Sequence, residues 1–243
     1  MIHYHGTPIS GGVWDQLALA RRHACVSWTS SDCLPLVAEV AQSFCLDNGA
    51  FSAWTRGEQL DIDGFIGWVN AWKKHPGFDW ALIPDVIDGD EKENDAMLRL
   101  VECSPSWVPV WHMHESLDRL VRLSHEWSRV ALGSSGDYAV IGNDRWWGRM
   151  SQAMDVVCDD GLPRAKLHGL RMLDPTIFSL IPFASADSTN VARNAGIDGR
   201  WKGPYAPASR ATRAALMMER IEQHASASSW TGHGSAKNYD LFG

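Results

Sequence analysis

The sequence lacks most of the features that assign a protein quickly. Its five cysteines, Cys25, Cys33, Cys45, Cys103 and Cys158, are scattered, form no C-x-x-C pair and stop well before the C-terminus, so neither a disulfide framework nor a zinc pattern is signalled. Several fall within predicted strands, where a free cysteine acts as a small apolar residue. No apolar run approaches membrane-spanning length. The opening residues MIHYHGTPISGG carry no basic-then-apolar signal pattern, and a cytosolic protein is expected. No glycine-rich dinucleotide fingerprint follows an early strand. Positive charge is scarce: 22 Lys and Arg against 29 Asp and Glu give a formal charge of −7, which argues against broad adhesion to phosphates. One stretch departs from this balance. Between Arg193 and Arg220, the residues Arg193, Arg200, Lys202, Arg210, Arg213 and Arg220 stand against only Asp198 and Glu219, a local basic face on an acidic whole.

What is present is a core. Hydrophobic residues make up 45% of the 243 positions, enough for one sizeable interior, and no Pro/Gly/Ser-rich linker or charge run divides the chain. Thirteen tryptophans are read mainly as packing residues. Short strands are expected at 2–6, 23–28, 44–46, 80–84, 107–111, 129–132, 165–168 and 182–187. Helical patterns alternate with them, among them 12–22 with Val13, Leu17 and Leu19 inward, 90–102 burying Leu100, and 116–127 with Leu117, Leu120, Val121 and Leu123 on one stripe. Eight strands alternating with helices predict an α/β fold, a single (β/α)8 TIM barrel over residues 1–225. The small polar residues of 226–243 predict a poorly ordered tail.

In such a barrel the strand ends share one mouth, where catalytic residues are placed. Asp47, Asp85, His112, Gly133-Ser134-Ser135, Gly169 and Asp187 all sit at predicted strand ends. Two carboxylates across a small pocket suit chemistry at an anomeric carbon: one stabilises or attacks that carbon while the other handles the leaving group's proton. Gly133 and Gly169 would let a flat ligand approach the backbone, and Phe51 could stack on it. Each position also has a plain alternative. Asp47 in Asp-Asn-Gly makes a tight turn, Asp85 and Asp88 cap the next helix, and His112 and His114 are packed or surface histidines. That alternative is preferred for His114 and Asp88, and function for Asp47 and Asp187.

The stretch LDNGAFSAW resembles the aspartate-led DSGGF/Y motif of tRNA-guanine transglycosylases, and FASADSTNVARNAG is similar to their aspartate-containing segment ending in an ARNG-like run. Between them RVALGSSG and KLHGLRM, in the same order, resemble that family's two glycine-bearing strand ends. The likeness runs roughly from Phe44 to Gly196 and is nearest the DpdA-type branch, phage-borne or bacterial, which inserts deazaguanine bases into DNA. It implies that Asp187 is the nucleophile at the sugar C1′ and that Asp47 protonates the departing guanine and deprotonates the incoming base. It further implies that Asn48 and Asp85 read the base edge, that Phe51 stacks on the base, and that Gly133 with Ser134 contacts the other edge. Arg193 matches the arginine of the ARNG run and would touch a phosphate, while His112 stands near the family's glutamine. The family's zinc-binding subdomain has no counterpart after Cys158, and its proline-threonine-arginine run is shortened to Ser188-Thr189-Asn190.

The resemblance therefore implies a DNA base-exchange transglycosylase with no metal and no organic cofactor. Its partners would be guanine-containing DNA and a free preQ0-like base, with an accessory protein possible for DNA grip. The alternatives are a hydrolytic N-glycosidase, a tRNA-directed enzyme, and a non-catalytic barrel that binds a nucleotide or partner. Duplex DNA would have to surrender the target nucleotide from its stack.

Overall fold

The computed structural model describes residues 1–10, 12–197, 199, 201 and 203–232. Parallel strands follow one another around a barrel: β1 (Ile2–Gly6), β2 (His23–Ser27), β3 (Ser43–Asp47), β4 (Phe78–Leu82), β5 (Trp107–Val108), β6 (Val110–His112) and β7 (Arg129–Gly133). A small antiparallel pair, β8 (Cys158–Asp159) and β9 (Leu162–Pro163), then precedes β10 (Lys166–Gly169) and β11 (Ser185–Ser188). The large sheet runs β5-β4-β3-β2-β1-β11-β10-β7-β6. Its two ends are halves of a single strand on either side of Pro109. Val108 O accepts from Ile83 N at 2.8 Å and Pro109 O accepts from Ala131 N at 2.9 Å, so the sheet closes as an eight-stranded parallel barrel. Proline has no N–H to give to a ladder, yet its carbonyl still ties β7 to the strand.

Helices cover the outside: α1 (Leu34–Val40), α2 (Ala50–Arg56), α3 (Ile62–Trp72), α4 (Glu91–Leu98), α5 (Leu117–Glu126), α6 (Asp144–Val157), α7 (Pro175–Phe178), α8 (Asn190–Asn194) and α9 (Arg210–Glu222). Local sequence sets their starts. Asp90 accepts from Lys92 N and Glu93 N while Glu93 accepts from Asp90 N, a capping box that begins α4. Ser116 caps α5 through Arg119 N, and Asn143 caps α6 through Trp146 N. None of the described helices is long and apolar enough to cross a membrane.

Alternation along each strand divides the core in two. Outward residues such as Ala24, Val26, Phe44, Leu46, Val130 and Leu132 pack under the helices, and inward residues Tyr4, Cys45, Trp80, Leu82, Val108, Val110 and Ala131 fill the barrel.

Three expectations change. Residues 13–19 form a 3-10 helix with Gln16, Ala18 and Leu19 buried, leaving Val13 and Leu17 66% and 47% exposed. The inward place goes to Gln16, whose amide bonds both the N–H and the carbonyl of Ile9 at 2.9 Å. The fourth helix stops at Leu98, which leaves Leu100 exposed. Within the expected tail, Trp230 is docked: its backbone N donates to Gly161 O and its Nε1 to Asp155 Oδ1, both at 2.7 Å. Residues 233–243 of that tail lie outside the described residues.

Candidate active site

The period of two that fills the barrel also selects what faces its mouth. Cys45, Val110, Ala131 and Ser185 are inward, so Asp47, His112, Gly133 and Asp187, two residues further along, are inward as well. Nine residues singled out from the sequence, Asp47, Asn48, Phe51, Asp85, His112, Gly133, Ser134, Asp187 and Arg193, line one cavity of about 170 Å³. Cys25, Cys45, Trp80 and Leu82 also line it. This is smaller than a drug-sized pocket and suits a single flat ring system.

The two carboxylates stand in different surroundings. Asp47 ends β3 at an Asp-Asn-Gly turn. Gly49 adopts a left-handed φ of 77°, which returns its N–H to Asp47 Oδ1 at 3.3 Å, and a Cβ there would stand 2.9 Å from Thr29 Cγ2. The aspartate thus makes the turn and faces the cavity at once. Burial, followed by the charge of Asp187, raises its pKa from 3.8 to about 7, against the lowering pull of the Gly49 N–H. Asp187 is 7% exposed. Its Oδ1 accepts from Arg171 N at 2.9 Å and lies 3.3 Å from His168 Nε2.

A third carboxylate, Asp85, lines the same cavity. Asp85 Oδ1 accepts from Asn48 Nδ2 at 2.7 Å, and Asp85 Oδ2 lies 2.9 Å from His112 Nε2. Asn48 donates its remaining amide hydrogen to Ile83 O at 2.8 Å and accepts from Ala50 N at 2.8 Å. The resemblance assigns Asn48 to the base edge, but with both amide hydrogens engaged inside the protein it acts by fixing Asp85. The His112 backbone N donates to Glu115 Oε2 at 2.9 Å, and Glu115 is itself held by Arg119 Nη1 at 2.7 Å. Ser134 lines the cavity with its hydroxyl accepting from Trp146 Nε1 at 2.8 Å.

Gly169 is corrected. It takes the outward parity of its strand, and a Cβ there would meet Phe183 Cε2 at 2.8 Å and Met172 Cβ at 2.9 Å, so the glycine serves packing behind the strand and not the approach of a ligand. Gly133 does face the cavity, where a Cβ would stand 3.2 Å from His112 Nδ1. His114 binds Ser135 Oγ at 2.7 Å and Gly89 O at 3.0 Å; like Asp88, which is exposed, it is absent from the cavity lining.

Two lining residues escaped sequence reading. His168 is inward on β10 and fully buried; the alternation of KLHG, with Leu167 in the outer core, carried that signal. Arg171 follows the strand with a left-handed φ of 59°. Its guanidinium carbon lies 4.0 Å from the Phe51 ring centroid, and its Nη2 donates to Ser134 O at 3.1 Å. Phe51 and Arg171 therefore form an aromatic and cationic part of the cavity wall. Among the described residues no group of three or more His, Cys, Asp or Glu is arranged to hold a metal ion.

No family model matches the chain, and neither does any curated protein. Among solved structures it is similar to a mutant tryptophan synthase alpha-subunit from Pyrococcus furiosus, at 11% identity and a TM-score of 0.49, over 92% of this chain and 97% of that one.

Proposed function

We propose that the protein is a base-exchanging transglycosylase that replaces guanine in DNA with a 7-deazaguanine derivative through a covalent aspartyl-glycosyl intermediate. The observation that carries this reading is the pair Asp47 and Asp187, which line one cavity of nucleobase size and are coupled in charge. Carboxylates with unlike environments divide the roles of acid/base and nucleophile. Asp187 forms a bond to C1′ as the C1′–N9 bond breaks, and the electron pair leaves with guanine. Asp47, held near pH 7 between its two protonation states, gives its proton to that base. An incoming deazaguanine then loses a proton to Asp47 and attacks C1′, releasing Asp187. Phe51 and Arg171 offer a flat face for the base, and Asp85 an acceptor for its ring N–H groups. The cavity lies within the barrel mouth, so the target nucleotide must be turned out of a duplex. Arg193, which lines the cavity, would contact a backbone phosphate.

Incubation with guanine-containing DNA and a labelled deazaguanine tests the proposal. Label retained in the DNA means exchange, whereas abasic sites without label mean that water completes the reaction and the enzyme is an N-glycosidase. Asp187→Asn is expected to abolish the covalent protein–DNA adduct and to lower turnover by at least about 10³-fold. Full exchange activity in that variant would overturn Asp187 as the nucleophile, and neither label nor abasic sites with the wild-type protein would leave only a binding barrel.

A further inference from the structure

Beneath Asp187 the barrel interior holds a polar chain that the steps above do not use. Ser185 and His168 are both fully buried. Arg129 Nη1 donates to Ser185 Oγ at 2.9 Å, and the same Oγ lies 2.9 Å from His168 Nδ1. His168 Nε2 lies 3.3 Å from Asp187 Oδ1, outside hydrogen-bond alignment, and is a buried nitrogen with no hydrogen-bond partner. Trp80 encloses the chain, its ring centroid 4.7 Å from the imidazole and 5.4 Å from the Arg129 guanidinium.

Elementary donor and acceptor chemistry gives this chain a direction. A guanidinium only donates, so the Ser185 oxygen receives from Arg129. A carboxylate only accepts, so an imidazole turning a lone pair at Nε2 toward Asp187 would be repelled, and the ring proton belongs on Nε2. That makes Nδ1 an acceptor, which the Ser185 hydroxyl hydrogen fills. Donation then runs from Arg129 through Ser185 to His168, whose Nε2–H faces Asp187 at 3.3 Å. The groups facing the imidazole are Asp187 from β11, Arg129 from β7, and the rings of Tyr4 from β1 and Trp80 from β4. Burial and Arg129 outweigh Asp187 and hold the His168 pKa below 6.5, keeping the ring neutral at neutral pH.

We propose that His168 is the positioning residue of the nucleophile: fixed as the Nε2–H tautomer by Ser185 and Arg129, it works with the Arg171 N–H to occupy Asp187 Oδ1, which leaves Oδ2 as the attacking oxygen. This rests on the reading of Asp187 as the nucleophile, but the hydrogen-bond chain can be measured without it. Long-range ¹⁵N–¹H spectra of the histidine-labelled wild-type protein at pH 7.5 should show a protonated Nε2 and a bare Nδ1 for His168. Ser185→Ala should turn that signal into a mixture of tautomers. An Nδ1-protonated ring, or an imidazolium, at that pH would overturn the chain whether or not the protein modifies DNA.

The kinetic arm follows adduct formation at Asp187. His168→Gln keeps an N–H within reach of the carboxylate and should hold the adduct rate within about tenfold of wild type, whereas His168→Leu should lose about 10²-fold with DNA affinity unchanged, a loss typical of a supporting hydrogen bond. Equal rates for the two variants would overturn the positioning role. Absence of any adduct in the wild-type protein would instead overturn the transglycosylase reading, and the tautomer spectrum would still decide the chain.

Discussion

Asp47→Asn should make the protein more stable, by an amount that grows with pH. The Asp47 pKa is raised from 3.8 to about 7 by burial and by Asp187. The folded state therefore binds a proton that the unfolded chain releases, and stability falls as pH rises from the unfolded pKa through the folded one. Linkage across that interval sets the cost of the ionised side chain at about 1.7 kcal/mol at pH 5 and about 4 kcal/mol at pH 8.5, the latter an upper bound. Asparagine keeps the oxygen that accepts from Gly49 N, carries no charge and so removes the pH-dependent part. The difference between variant and wild type should grow by about 2–3 kcal/mol from pH 5 to pH 8.5. For a chain of this size that is a gain in Tm of about 5–10 °C at the higher pH relative to the lower. Urea unfolding of both proteins at the two pH values measures it directly, and taking the difference between them cancels the titrating groups that do not interact with Asp47. A pH-independent difference, or a variant less stable at pH 8.5, would mean that Asp47 is not a desolvated carboxylate facing Asp187. The acid/base role would then lose its physical basis.

The two glycines should separate packing from chemistry. Gly169→Ala places a Cβ 2.8 Å from Phe183 Cε2 and should cost about 1–3 kcal/mol in denaturant unfolding, with base affinity unchanged. Gly133→Ala, whose Cβ would stand 3.2 Å from His112 Nδ1, should weaken base binding in calorimetry while changing stability by no more than about 1 kcal/mol. Arg119→Met leaves Glu115 buried without the ion pair made at 2.7 Å and should destabilise the fold by about 3–5 kcal/mol in urea titration.

Much of this architecture was legible in the sequence because a parallel barrel repeats its signal. Each strand is a short apolar run closed by polar residues, and each amphipathic helix returns the chain to the start of the next strand. Asp47, His112, Gly133 and Asp187 were found because the ends of such runs converge. The errors at the mouth came from reading strand ends by position instead of parity. Gly169 is the last residue of its strand but faces outward, while His168, one residue earlier, is the group that meets Asp187. The resemblance assigns Asn48 to the base edge, but its partners Ile83 O, Asp85 and Ala50 N are brought to it by the fold, contacts that no local pattern encodes. Arg171 gave no signal either, since its contact with Phe51 spans the mouth. The helix α2 was hidden by the turn signal just before it: Asp-Asn-Gly reads as a loop, and here the left-handed Gly49 is itself the residue that starts the helix.

The geometry shows how one short stretch of backbone can make two aspartates unlike. Both carboxylates end inward on parallel strands, and both receive an N–H from a residue in the left-handed region, Gly49 for Asp47 and Arg171 for Asp187. The two N–H groups are not equivalent. That of Gly49 lies 3.3 Å from its carboxylate and that of Arg171 only 2.9 Å, and His168 Nε2 stands 3.3 Å from Asp187. In a cavity lined below by Trp80, Leu82 and the cysteines, burial and the neighbouring charge of Asp187 favour the protonated form of Asp47. Glycine adopts φ > 0 without penalty, but at Arg171 the same turn costs about 1 kcal/mol or more. That residue is retained in a strained conformation because its N–H and its guanidinium serve different walls of the same cavity: one steadies Asp187 and the other covers Phe51. Replacing it with glycine would relieve the backbone and keep the N–H, yet remove the cationic face. A fall in base affinity with a gain in stability is therefore the expected signature of Arg171→Gly, and a loss of both would show that its side chain holds the mouth together instead.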